Sequence, residues 1–259
     1  MKTLHALRWW IVGLVMLGAM LNYLTRAVMG VAAPTMLTEL AITQEQYGWI
    51  TGAFQAGIIL QPVVGYVLDS VGLRTGLALF AGAWSVISMA HGFASTWPMF
   101  AVLRGMLGFA EGSANPAGMK VVATWFPARE RGFAGGFYNI GASVGSMLAP
   151  PLVAWAILAY DWRAAFLITG AMGLVWVVLW LGVFRPPEQH PWLTPTERDL
   201  IARGQEADLA GDAARPSIFK LLLRRDFWAS PCRACWPTRP GARCRSGFPC
   251  TSSRRAAST

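Results

Sequence analysis

Arg104 and Glu111 stand seven positions apart in a stretch that is otherwise free of charge from 75 to 119. On a helix that spacing is two turns, so both side chains share a face with their Cα atoms about 10 Å apart, and Asn115 continues the same face. Burial in an apolar medium disfavours a charged carboxylate, whereas a neighbouring guanidinium favours it. A carboxyl group caught between those effects can exchange a proton, and an anion drawn to the guanidinium then changes how the proton is held. A third ionisable residue, Arg26, interrupts another neutral stretch, with Asn22 one turn before it and Tyr23 three residues before it. No carboxylate lies within one turn of Arg26, and a planar guanidinium facing a polar cavity suits recognition of a carboxylate through two parallel hydrogen bonds. The competing readings are structural: Arg104 and Glu111 as a buried ion pair bracing helices, and Arg26 reaching out to lipid headgroups.

The elements that must position these residues are membrane helices. Of 259 residues, 54% are hydrophobic and 14% charged, against roughly 25% charged in a soluble domain. An ordinary cytosolic enzyme is thereby disfavoured. The formal charge of +9 is concentrated at one end: residues 230–259 carry six Arg and no acid, leaving 16 basic against 13 acidic residues elsewhere. That balance removes the case for nucleic acid as a partner. Neutral runs cover 9–25, 46–68, 75–103, 132–160 and 164–184. Since about 20 apolar residues cross a bilayer as a helix, the runs predict six spans near 9–30, 46–68, 75–94, 98–118, 133–157 and 164–184. Lys2, Arg8, Arg74, Lys120, Arg129, Arg131 and Arg185 then fall on one side, with Glu39, Glu45, Asp161 and Arg163 opposite. The excess of Lys and Arg in cytoplasmic loops places both termini in the cytoplasm. The first apolar run lacks a small-residue cleavage site at Asn22, Tyr23 and Arg26, so it reads as an uncleaved helix.

Three domains are expected: a six-helix bundle over 1–185, a cytoplasmic connector over 186–229 and a disordered basic tail over 230–259. In the connector, Thr194, Pro195 and Glu197 form a capping box opening a short helix to about Gln205. Residues 217–229 form an amphipathic run suited to the inner interface. All four Cys lie in the tail. Cys232 and Cys235 form one close pair, but Cys244 and Cys250 are too far apart for the usual second pair of a structural zinc site, so no metal and no cofactor is expected. Asn115-Pro116-Ala117 would suit a water channel, yet such channels need two triplets and this chain has one. Gly105, Gly108, Gly112, Gly141 and Gly145 are small residues that let helices pack closely.

The loop Gly65-Tyr66-Val67-Leu68-Asp69-Ser70-Val71-Gly72-Leu73-Arg74 resembles the signature loop of the major facilitator superfamily at Gly65, Asp69, Gly72 and Arg74. Further segments extend the likeness: Leu21-Asn22-Tyr23-Leu24-Thr25-Arg26, Arg104 with Gly108 and Glu111, and Tyr138-Asn139-Ile140-Gly141 through Ala149-Pro150-Pro151. With them the chain resembles the anion:cation symporter family, and within it bacterial hexuronate transporters, from about Leu7 to Ala229. The resemblance implies an all-α membrane protein, the N-terminal half of a major facilitator fold, carrying a sugar acid together with a proton across a bacterial inner membrane.

By position, the resemblance assigns the substrate carboxylate to Arg26, the proton site to Glu111, and cavity roles to Asn22, Tyr23 and Asn139; Arg104, by its spacing from Glu111, is the second expected proton-coupling residue. Gly65, Asp69, Gly72 and Arg74 become a cytoplasmic latch, with Gly65 permitting close helix approach. Where many relatives have Asp before the first-span Arg, this chain has Thr25, so a second titrating carboxylate is absent, as in hexuronate carriers. The implied partners are the sugar-acid anion, the proton, the bilayer and a second six-helix half, because the superfamily's substrate site lies between two halves. The tail resembles a gene read in the wrong frame from near Ala229. The alternative reading is a non-transporting membrane scaffold or an inactive gene remnant.

Overall fold

The computed structural model describes residues 6–209; the amphipathic run at 217–229 and the tail at 230–259 lie outside them, as does Lys2. The described residues form helices and turns, with no strand among them. In order these are α1 (Leu7–Glu39), α2 (Gln44–Ile59), α3 (Gln61–Val71), α4 (Leu73–His91), α5 (Trp97–Glu111), α6 (Ala114–Trp125), α7 (Ala128–Ala159), α8 (Trp162–Val183), a 3-10 turn (Pro187–Gln189) and α9 (Pro195–Leu209).

Four helices, α1, α4, α7 and α8, are each long and apolar enough to cross a membrane, and α2 with α3 makes a fifth candidate bent by 45°. The two breaks have a common cause. Proline lacks an amide hydrogen and its ring collides with the carbonyl four residues back, and Pro62 and Pro116 sit just inside α3 and α6. The stretch expected as one span over 98–118 is therefore two helices, α5 and α6, turning at Gly112–Ser113. Asn115 does not continue the face of Arg104 and Glu111; it lies on α6, exposed.

The principal contacts pair α1 with α7, α2 with α5 and α4 with α8. Small residues allow them. A Cβ on Gly108 would run into the Phe54 backbone, and one on Gly141 or Gly145 into the backbones of Met16 and Met20. Between α4 and α8 an aromatic column rises through Trp84, Trp176, Trp180 and Phe184, with ring centroids 6.5, 5.5 and 4.0 Å apart. Many large apolar side chains face outward instead, among them Leu158, Ile59, Met147 and Val178 at 88%, 75%, 68% and 71% exposure. A helix apolar on its outer face suits lipid, not water.

One end of the bundle is tied by Glu39, which accepts hydrogen bonds from Trp162 Nε1 at 2.7 Å and Arg163 Nη1 at 2.8 Å; Arg163 also reaches Asp161. Those bonds hold the exposed Glu39 carboxyl below its ordinary pKa. At the other end Arg8 pairs with Glu130 at 2.9 Å and its backbone N–H donates to Glu197 Oε1 at 3.4 Å. Thr194 caps α9 by accepting from the Glu197 backbone N–H at 3.4 Å. The Glu197 side chain is spent on Arg8 and does not close the expected box, and α9 runs on to Leu209.

Candidate functional site

Helix α1 brings Asn22, Thr25 and Arg26 to the C-terminal end of α5. Glu111 closes α5 and is buried, with its side chain fully out of solvent. Its Oε1 accepts from Thr25 Oγ1 at 2.9 Å and its Oε2 from Arg26 Nε at 3.1 Å. The pair expected from spacing, Arg104 with Glu111 along one helix, is thus replaced by a pair between helices, Arg26 with Glu111, 85 residues apart. Thr25 Oγ1 also contacts the Asn22 carbonyl oxygen at 2.8 Å, which fixes the hydroxyl on the helix it belongs to.

Arg104 sits seven residues before Glu111 and is 3% exposed, and its Nε and Nη2 meet no acceptor among the described residues. Its guanidinium carbon lies 5.5 Å from the Phe54 ring centre, while that of Arg26 lies 5.2 Å from the same ring and 4.8 Å from Tyr23. Two cations therefore share one aromatic ring, whose quadrupole stabilises positive charge. Both arginines line a cavity of about 250 Å³ with Tyr47, Thr51, Phe54 and Gln55. The local charge is two guanidinium groups against one carboxylate.

The remaining expected residues divide. Asn22 is buried with its amide unpartnered among the described residues, and Tyr23 stacks on Arg26; neither lines that cavity. Asn139 is exposed on α7 and donates from Nδ2 to the Gly135 carbonyl oxygen at 3.0 Å, and it does not line the cavity. Its neighbour Tyr138 is buried and donates to the Ala114 carbonyl oxygen at 3.0 Å. In the loop motif, Gly72 ends α3 with φ 92°, a conformation glycine adopts without steric cost. Asp69 pairs with Lys120 of α6, and Arg74 donates to the Leu181 carbonyl oxygen. Gly65 faces open space, so the close helix approach expected there is not seen among the described residues.

Sequence reasoning missed the contribution of α2. Tyr47, Thr51 and Gln55 recur at intervals of four on a helix that is otherwise apolar after its first turn, with Phe54 beside them, a polar stripe at helical spacing that could have pointed to the cavity. It also gave Thr25 no partner.

Comparison with known proteins decides the family. The sequence profile described as Major Facilitator Superfamily matches residues 15–238. The chain belongs to the major facilitator superfamily. It is 46% identical over 230 residues to a galacturonate transporter of Dickeya chrysanthemi, covering 88% of this chain and 67% of that protein. It is 44% identical over 230 residues to the hexuronate transporter of Escherichia coli (strain K12), covering 88% of this chain and 53% of that one. Thus the chain spans between half and two thirds of the length of these relatives. Among solved superfamily structures, an inward-facing bacterial homologue of the human lysosomal transporter Spinster aligns with a TM-score of 0.68 at 19% identity, over 88% of this chain and 50% of that one. A proton:xylose symporter aligns at 0.60 and 20%, over 78% and 51%. These two establish the fold alone. Membership makes this a multi-pass membrane protein.

Proposed function

We propose that the described helices are the N-terminal half of a proton-coupled sugar-acid carrier, crossing an inner membrane six times, with α2–α3 and α5–α6 as two bent spans and both termini in the cytoplasm. The observation that carries the reading is the cavity beside Arg26 and Arg104, whose two cations outnumber the single buried Glu111. A monoanionic solute offsets the excess positive charge there. Its carboxylate fits the guanidinium donors and its hydroxyls fit Tyr47, Thr51 and Gln55. The names of the relatives, galacturonate and hexuronate transporters, supply the substrate class.

The coupling follows from shared contacts. Arg26 is held by Glu111, so protonating Glu111 weakens the pair and frees Arg26 for a substrate carboxylate; conversely, a carboxylate on Arg26 takes away the cation that favours ionised Glu111. Arg104, with two unpartnered donors in the same cavity, provides a second anchor. Asn22, Tyr23 and Asn139 are proposed as further cavity residues once a second half closes over the bundle. Asp69, Gly72 and Arg74, with Gly65 for the second half to approach, form the latch that ties α3, α4, α6 and α8 in one conformation.

Uptake of labelled galacturonate into proteoliposomes tests this, using the chain alone and the chain combined with the C-terminal half of the Dickeya relative. Uptake by the combination that rises with an inward proton gradient is expected, and Glu111→Gln should abolish the gradient dependence. Absence of uptake in both preparations would leave the chain a non-transporting scaffold.

A further inference from the structure

The end of the bundle where α3 turns into α4 holds a second cavity, of about 200 Å³, with Gly72, Arg74, Thr75, Lys120, Phe184 and Pro186 among its walls. Two of these are cations. Arg74 gives one amino group to the Leu181 carbonyl oxygen, while its Nε–H is buried and meets no acceptor among the described residues. A charged donor buried without an acceptor is unfavourable until an oxygen reaches it. Lys120 is tied to Asp69, whose carboxylate is 66% exposed and is not part of the wall. The first turn of α4 carries no side-chain cap and no acidic residue, so the amides of that turn add partial positive charge beside the two cations.

The cavity is also apolar on one flank. Phe184 and Pro186 close it, and Val71, next to Gly72, and Leu181, whose carbonyl oxygen holds Arg74, are 48% and 40% exposed. An oxyanion attached to a hydrocarbon body matches both halves of this surface. Basic recesses between helices at the membrane boundary recognise anionic headgroups in this way. We propose that this cavity binds the phosphate of an anionic phospholipid, whose acyl chains lie along the exposed side chains of α3 and α8. This rests on the helices being embedded in a membrane and not on any transported solute.

The test uses the full chain reconstituted in vesicles of phosphatidylcholine with a minority of phosphatidylglycerol, then released in mild detergent for native mass spectrometry. Phosphatidylglycerol should remain bound to the wild type and fall on the order of tenfold in the double variant Arg74→Gln/Lys120→Gln. Thr75→Phe, which fills the cavity and keeps both charges, should give the same loss, and so covers the case of a double variant that does not fold. Arg129→Gln, which removes a cation outside the cavity wall, should retain the lipid. Equal lipid retention by wild type, the double variant and Thr75→Phe would overturn the proposal in favour of a general lipid coat. Displacement of the lipid by inorganic phosphate at millimolar concentration would overturn it in favour of a soluble phosphate site. Failure of sugar-acid uptake leaves each of these readings unchanged.

Discussion

Both carboxylate oxygens of Glu111 are occupied by consecutive residues of α1, one by a neutral hydroxyl and one by a cation. Their contributions can be separated. Thr25→Val keeps the shape but strips Oε1 of its donor, which should destabilise the protein by about 1–3 kcal/mol, whereas Thr25→Ser keeps the bond and should cost less than 1 kcal/mol by the same reasoning. Tryptophan fluorescence during denaturant unfolding in detergent measures both; equal losses would mean the hydroxyl is not the stabilising feature. The types and chemical leanings of Arg26, Arg104 and Glu111 were legible in the sequence, because charge in a neutral run is conspicuous. Their partners were not. Spacing along one helix pointed Glu111 toward Arg104, but the shorter route runs between helices, and helix orientation decides it.

Helices α2 and α5 meet where Gly108 leaves room for the Phe54 backbone. Because Phe54 is the ring shared by both arginines, Gly108→Leu should push α2 away and cost about 1–3 kcal/mol as an overpacked contact. A lowered Tm and, on the proposed function, a weaker affinity for galacturonate should appear together; an unchanged Tm would show that the helices tolerate the larger residue. At the connector, the His190 Nδ1 accepts from the Trp192 backbone N–H at 3.3 Å, so the proton sits on Nε2, which donates to the Val183 carbonyl oxygen at 3.1 Å. Burial, chiefly, and Arg185 hold this imidazole below its ordinary 6.5, against the opposing pull of the Val183 bond. The folded-state value lies below the unfolded one, so the contribution is present above 6.5 and is lost as pH falls through the lowered value. Limited proteolysis of residues 186–209 should therefore accelerate on acidification below 6.5, and His190→Phe should flatten that dependence. A pH-independent cleavage rate in the wild type would exclude His190 as the titrating contact.

Across the whole molecule, Glu39, Asp161 and Arg163 gather at one end while Arg8, Arg74 and Lys120 lie at the other. If the basic end is cytoplasmic, an impermeant biotinylating reagent applied outside the cell should label a lysine placed at Asp161 and spare one placed at Arg129; the reverse pattern inverts the topology. The loops that sort by charge were legible because charge in short loops is counted locally. The bends were half legible: Pro62 and Pro116 are visible in the chain, but proline within a membrane helix can kink it, break it or be absorbed, and Pro34, Pro150 and Pro151 lie inside continuous helices.

Sequence alone determined that this is a helical membrane protein with a few ionisable residues placed where lipid makes them costly, because hydrophobicity and charge are properties of single residues and short windows. Only the tertiary structure decided that Glu111 answers to Thr25 and Arg26, that α2 supplies a polar wall, and that Arg74 and Lys120 face a recess of their own. Those outcomes depend on the rotation and separation of packed helices, which small residues such as Gly108 permit but no local pattern specifies.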